Sequence, residues 1–592
     1  MPLTQLPPRL KALDAAFLNF ETKEMPLHIG GVCVFEGTIP FERFVATIES
    51  KLDLIPRYRE KVMRPFLNIG HPQWQYDPDF DIRRHIFHVK LDPPGSEEQL
   101  RELTGRIFTP LLDRNKPLWE TYVVDGLAGD RSAMICKVHH CIVDGVAGIG
   151  LLNVIMDPSP EERPLPRRKP YRPPKLPDET TLFLEAFADS LAQIPQRFTD
   201  VKDALAGYGS LLLNDPLAAL GFSRVMDMMP ELVSPLEHLP FNRPCSGERR
   251  VFWTEFPFAE AHAIKTAYGC TINDVVLTVV SGAVAKYTEM HGQTVKNRFF
   301  RPMVPVNVRP AEDAAGAFGN LISLLPVTLP LGIRNPIARM QHIHKETEAM
   351  KGARMAQLVR TGLGWLGLLP PPVQAMLAGN LGWLNTPIPI FHMVCTNVPG
   401  PPQPLYACGQ RMVACYPHVP TGMDVGISVA IESYAGKLYF ALTTDAKAAP
   451  DGGRMIDFLE SSFRELRKAA GVPESQPRVA GKRVPRKAKP KAKAAAIEAV
   501  APAHAALRKA KPKAKPKAKA RKPAKAPVAA ESVAAKSAAV EPVAAARAST
   551  PAKPEVLVPA PLAEEHIVER AEEEALEDAT LMQEEEELEP VY

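Results

Sequence analysis

The sequence predicts a two-lobed α/β fold with mixed sheets and flanking helices, followed by a disordered low-complexity tail. Three observations predict it. Strand-like and helix-like runs alternate in both halves of the chain, a proline-rich stretch separates those halves, and the composition changes abruptly after about residue 471. At 592 residues and 45% apolar content, the chain is too long for one ordinary domain and has ample material for a large core.

Taken in order, MPLTQLPPRLKALDAAF meets charge before any apolar run forms, so no secretory signal is expected. In MICKVHH (134–140), a strand places Met134, Cys136, Val138 and His140 on one side and Ile135, Lys137 and His139 on the other. The second histidine thus continues the more apolar face. Asp144-Gly145 breaks the strand, and VAGIGLLNVIM (146–156) reads as a helix packed closely through small residues.

The prolines and charges of DPSPEERPLPRRKPYRPPKLP (157–177) forbid regular structure and mark a crossover. The division that follows is a first lobe at 1–156, a linker at 157–180, a second lobe at 181–471 and a tail at 472–592. Helical patterns open the second lobe between about Thr181 and Leu239. Strands are expected in FFRPMVPVNVR (299–309), LISLLPVTL (321–329) and FHMVCTN (391–397), and as a hairpin around Ala435-Gly436. GRMIDFLESSFRELRKAAG (453–471) is the last folded element, with Met455, Phe458, Leu459, Ser462, Phe463 and Leu466 on one face. The most lipid-like stretch, Thr361 to Phe391, is interrupted by prolines and does not read as a spanning helix.

Net charge conceals an uneven distribution. Residues 478–525 carry +17 and residues 564–589 carry −12, so the overall +4 leaves residues 1–477 at −1. The eight cysteines lie scattered in apolar stretches without C-x-x-C spacing, which suits reduced thiols and a cytoplasmic setting.

HHCIVDG (139–145) is the stretch that carries chemistry. A neutral imidazole can accept the proton of a hydroxyl as that hydroxyl attacks an acyl carbonyl. His140 is the candidate base, His139 its neighbour, Asp144 the residue that locks the turn, and Gly145 the position where a side chain would crowd it. The bland alternative is a histidine pair that merely fills core or surface. A metal site is the other sharp reading, but adjacent strand residues point to opposite faces and no third ligand follows at a recognisable spacing, so none is expected. Cys141 reads as a small buried residue rather than a nucleophile. No nucleophile elbow, phosphate loop or H-E-x-x-H is present, so direct transfer without a covalent intermediate is the simpler chemistry.

HHCIVDG resembles the H-H-x-x-x-D-G motif of the bacterial wax ester synthase/acyl-CoA:diacylglycerol acyltransferases, a motif shared with chloramphenicol-acetyltransferase-like enzymes and peptide-synthetase condensation domains. Further stretches are similar to that family in order: LDAAFLNFETKEMPLHIGG (13–31), PLWE (117–120), TINDVVLTVVSGAV (271–284), PVNVR (305–309) and TNVPGP (396–401).

The resemblance implies two chloramphenicol-acetyltransferase-like lobes with a tunnel between them and His140 as proton acceptor. It also implies Arg309 as partner of Asp144, and supporting roles for Asn273 and Asp274. Acyl-CoA would be a co-substrate with no bound cofactor, and the acceptor a diacylglycerol or a long-chain alcohol. Each motif has a plainer reading beside this one. Trp119 fills a core gap, Asn273 and Asp274 cap a helix (the reading we favour for them), and Asn397-Val-Pro-Gly is a turn.

The family leaves the tail unexplained. KAKPKAKPKAKARKPAK (509–525) is an extended polycation suited to nucleic acid or another polyanion, and the body suits peripheral attachment to the inner membrane or lipid inclusions. Two competing readings follow: a catalytically weak scaffold on lipid inclusions, and a carrier-protein-dependent acyltransferase.

Overall fold

The computed structural model of the chain describes residues 9–65, 70–161, 236–307, 322–352 and 391–475, with a few isolated positions between them. These residues fall within the unit Met1–Val484, whereas the second unit, Pro485–Tyr592, lies outside the described residues. Most of the crossover and of the lipid-like stretch 361–391 also lie outside them.

Six strands come from the first part of the chain: β1 (His28–Glu36), β2 (Glu60–Met63), β3 (Gln73–Tyr76), β4 (Ile86–Lys90), β5 (Trp119–Leu127) and β6 (Arg131–His139). The second part supplies β7 (Arg249–Pro257), β8 (Phe299–Phe300), β9 (Pro302–Asn307), β10 (Ile322–Pro326) and β11 (Leu329–Pro330). It continues with β12 (Met393–Pro399), β13 (Tyr406–Ala407), β14 (Gln410–His418), β15 (Ile427–Tyr434) and β16 (Lys437–Asp445).

Two six-stranded sheets result, β13-β14-β1-β6-β5-β4 and β10-β9-β12-β15-β16-β7. Both are mixed, because β4 pairs parallel with β5, and β12 parallel with β9 and β15, among otherwise antiparallel neighbours. The architecture is therefore the mixed α/β one the sequence predicts.

The sheets cross the expected boundary between lobes. Tyr406–His418 belongs to the stretch 181–471, yet its strands β13 and β14 extend the first sheet, with Cys415 opposite Cys33 and His418 opposite Gly30. Asp157, at the end of the first half, exchanges two backbone hydrogen bonds of 2.8 Å with Tyr406. Without β14, the edge of β1 would expose unpaired N–H and C=O groups, so the later segment completes the earlier sheet.

β6 lies in the interior of its sheet, and this overrides the alternation read from MICKVHH. Lys137 was expected on the more polar face, but it is buried, because helix Glu97–Phe108 lies close to that side. Its Nζ donates to Ile107 O at 2.8 Å and Pro110 O at 2.5 Å, satisfying carbonyls at the end of that helix. Burial pushes the ammonium down to about 8.

The second core packs helices Ile272–Met290 and Arg454–Ala469 on the far side of the second sheet. Met455, Leu459, Ser462, Phe463 and Leu466 are buried on the last helix as their spacing predicts, with Phe458 at the margin. Ala435 (φ +45) and Gly436 (φ +87) turn β15 into β16, the two-residue geometry that demands left-handed backbone.

Buried imidazoles, His28, His85 and His392 among them, contribute to the acid limit of this fold. Burial lowers His28, His85 and His392 each to about 4 from the usual 6.5, despite hydrogen bonds that favour their charged forms. Because the folded values lie below the unfolded one, the unfolded chain takes up protons first. The stability these histidines contribute is complete above about pH 6.5 and falls toward pH 4, by on the order of 3 kcal/mol per histidine once titration is finished. Urea melts from pH 8 to 4 check this, and a midpoint that stays constant between pH 6.5 and 4.5 would contradict it.

Candidate active site

β6 delivers the two histidines, and the backbone around them is sewn to two segments from elsewhere. His139 N–H donates to Leu118 O at 3.0 Å, and His140 N–H donates to Leu27 O at 2.9 Å. Ile142 N–H closes the turn onto His139 O at 3.0 Å. Asp144 then starts helix Gly145–Ile155, its Oδ1 accepting from Ala147 N–H at 2.8 Å, a side-chain cap on an otherwise unpaired helix donor. Asp144 is buried, whereas its proposed partner Arg309 lies outside the described residues.

The two imidazoles have different surroundings. His139 is fully buried, its Nδ1 accepts from Cys141 N–H at 3.1 Å, and its Nε2 lies 3.4 Å from Glu21 Oε1. An accepting Nδ1 leaves the proton on Nε2, directed at the carboxylate. His28, opposite His139 in the β1–β6 register, brings its own Nε2 to 3.3 Å from the same oxygen.

Glu21 also accepts from Leu27 N–H on Oε1 at 3.1 Å and from Arg114 Nη2 on Oε2 at 2.9 Å. Burial alone would raise this carboxyl, but the close approach of the His139 and His28 imidazoles outweighs it and holds the group well below the usual carboxylate range. His140, by contrast, is only half-buried, and its ring stacks on Phe17 with centroids 4.1 Å apart and planes 6° from parallel. Phe17 O accepts from Glu21 N–H at 3.2 Å. The Glu21 carboxylate therefore holds the His140 turn through Leu27, and the Glu21 backbone ends the helix that carries Phe17.

Helix Gly145–Ile155 begins where the second sheet comes close. A Cβ on Gly145 would stand 3.0 Å from Val398 Cγ2 on β12. On that side of β12, Val394, Thr396 and Val398 are half-buried, whereas Met393 and Cys395 on the other side are buried in the second core. The half-buried face and the half-buried imidazole are thus both accessible where the two sheets meet around the motif. Cys141 is buried, and burial raises its thiol well above the ordinary range, which leaves it inert.

Comparison with known proteins decides the family. Residues 10–276 match the wax ester synthase/diacylglycerol acyltransferase catalytic domain, and residues 318–467 match the WS/DGAT C-terminal domain. The probable diacylglycerol O-acyltransferase tgs1 of Mycobacterium tuberculosis is 30% identical over 472 residues, which are 77% of this chain and 95% of that protein. The probable diacylglycerol O-acyltransferase tgs2 of the same organism is 31% identical over 476 residues, 78% and 98% of the respective chains. The chain belongs to the wax ester synthase/diacylglycerol acyltransferase family.

The fold agrees. The wax ester synthase/diacylglycerol acyltransferase from Marinobacter aquaeolei VT8 aligns with a TM-score of 0.52 and 23% identity over 78% of this chain and 100% of that one.

Within this acyltransferase, the supporting motifs occupy distinct places. Trp119 of PLWE is buried between Tyr58 and His85, with ring centroids 4.2 and 4.6 Å away, and its Nε1 donates to Tyr58 O at 2.9 Å. The neighbouring Leu118 is the residue of that motif that touches the histidine turn.

Asp274 is buried at the start of helix Ile272–Met290, in a capping box with Thr271. Its carboxylate also accepts from Thr347 Oγ1 at 2.7 Å and lies 2.9 Å from His344 Nδ1, tying this helix to Pro336–Gly352. Asn273 sits half-buried in the first turn, so Thr271 rather than Asn273 caps the helix. Asp274→Ala should cost about 2–4 kcal/mol of stability while leaving kcat per folded molecule unchanged, as paired melts and assays will read. A kcat loss in the folded variant would place Asp274 in the chemistry instead.

Among the described residues, no group of three or more His, Cys, Asp or Glu side chains is placed to hold a metal ion. Sequence reading passed over Glu21, His28, Phe17 and Leu27. All four lie in the quoted segment 13–31, but nothing local in ETKE distinguishes buried Glu21 from exposed Glu24.

Proposed function

We propose that the protein moves a long-chain acyl group from acyl-CoA to the hydroxyl of a diacylglycerol, a long-chain alcohol or both, with His140 as general base. The observation that carries this reading is the half-buried imidazole of His140, held by the Phe17 stack and the Leu27 hydrogen bond beside the accessible face of β12. The acceptor hydroxyl donates its proton to the imidazole as its oxygen bonds to the thioester carbonyl carbon. Collapse of the tetrahedral adduct breaks the C–S bond, and the imidazolium returns the proton to the departing thiolate. The products are an ester and free CoA. An inert, buried Cys141 supports transfer without a covalent enzyme intermediate.

Acyl-CoA is a co-substrate in this scheme, and no resident cofactor is required. Apolar substrates favour work at a membrane or lipid-inclusion surface. Among the described residues no single helix is long and apolar enough to cross a membrane, and the +17 charge of residues 478–525 supports a polyanion contact. The direct test supplies palmitoyl-CoA with hexadecanol or dipalmitoylglycerol and follows ester and free CoA. Failure of the folded protein to make either ester would overturn the reading.

A further inference from the structure

The half-buried face of β12 continues onto β15, where it passes into the interior: Ser428, Ala430 and Glu432 are all buried there. In their parallel register Val398 lies beside Glu432 and Thr396 beside Ala430, so Glu432 shares the face that meets the start of helix Gly145–Ile155. It is 4% exposed. Its Oε2 takes only a 3.6 Å contact from the Cys415 thiol, and among the described residues its Oε1 has no hydrogen-bond partner. Gly400, in the TNVPGP turn, lies against that buried oxygen, and a Cβ there would crowd it at 2.6 Å.

A buried carboxyl with no cation against it is costly as an anion. Burial pushes Glu432 up to about 8, so at neutral pH it is mostly a neutral acid with an O–H to donate. A neutral donor suits a neutral acceptor atom rather than a cation or a metal. Four residues along the same strand face, Ser428 Oγ is likewise buried and unpartnered among the described residues, so polarity here is repeated. A buried polar group left unpaired destabilises the fold, and a bound partner relieves that cost.

We propose that Glu432 is a recognition group of the acceptor subsite, donating a hydrogen bond to an ester carbonyl of a diacylglycerol. This rests on the acyltransferase reading above. A simple fatty alcohol has only the hydroxyl that His140 engages, whereas a diacylglycerol also carries two ester carbonyls. The carbonyls of acyl-CoA share the same chemistry, and the experiment separates the two sources.

Full-length wild type, Glu432→Leu and Glu432→Gln are assayed with palmitoyl-CoA and either dipalmitoylglycerol or hexadecanol, alongside thermal melts. Glu432→Leu should lose about five- to tenfold in kcat/KM for dipalmitoylglycerol, the size of one neutral hydrogen bond, while hexadecanol and the KM for palmitoyl-CoA stay within about twofold. It should melt no lower than wild type, because the carboxyl it replaces takes only the weak Cys415 thiol contact and its other oxygen has no partner among the described residues. Glu432→Gln, which keeps a donor, should retain most diacylglycerol activity. A rise in the palmitoyl-CoA KM with both acceptors would assign the carbonyl to the donor and overturn the acceptor assignment. Equal losses with both acceptors, no loss with either, or a lowered melting temperature in Glu432→Leu would overturn the proposal. A wild type that makes neither ester would remove it together with the acyltransferase reading.

Discussion

His140→Ala is expected to cut ester formation by roughly a hundred- to ten-thousandfold with either acceptor, while the protein melts close to wild type. The imidazole is half-buried at the end of β6, and its main structural tie, the N–H to Leu27 O, belongs to the backbone and survives the substitution. Lost with the ring are the proposed proton acceptor and, among its contacts, the Phe17 stack. Binding of palmitoyl-CoA should change little, because the group acts on the acceptor hydroxyl. A variant as active as wild type would remove His140 from the chemistry. A variant that unfolds would make the stack a structural contact, and His140→Gln, which keeps a flat polar side chain there, would then separate the two effects.

Glu21 gives the second large effect, by a different route. One carboxylate serves two buried imidazoles, the Leu27 N–H and the Arg114 guanidinium, so removing it strands several buried polar groups at once. Glu21→Ala should lose about 3–5 kcal/mol of stability, the usual cost of leaving charged or polar partners uncompensated. Glu21→Gln keeps the shape and loses the charge. It should fold and show kcat reduced by up to roughly a hundredfold with little change in the KM for palmitoyl-CoA, because the carboxylate acts on His140 through Leu27 rather than by touching it.

The pH dependence gives a separate readout. The Glu21 carboxyl is held below its ordinary value of 4.5, so the stability it contributes is present above that value and fades as pH falls through the folded one. The Gln variant should lack that component of acid loss. A Gln variant with wild-type kcat and an unchanged acid limb would show that the turn is set without Glu21.

How much of this was legible in the chain varies by element. HHCIVDG offered the candidate base and the residue that locks the turn because a strand, a turn and a small-residue helix are local events, and the residues that make them are adjacent. The 435–436 turn, the stripe on Arg454–Ala469 and the strands β12, β15 and β16 were read for the same reason. Lys137 was misread because alternation reports a strand with one wet face, whereas β6 is an interior strand with both faces covered. The placement of Tyr406–His418 in the first sheet was missed because strand pairing over several hundred residues leaves no periodic signal.

The sequence by itself determined the class of fold, the family and the candidate base, since each rests on short-range pattern or on motifs in fixed order. Tertiary structure alone decided which carboxylate serves the histidines and which strand closes the first sheet. It also decided which face of the second sheet meets the motif, and with it the place of Glu432. The physical reason is common to all three. Burial and partner geometry arise only when distant segments pack, and an isolated Glu in a sequence carries no mark of the environment that will set its charge, its hydrogen bonds or its role.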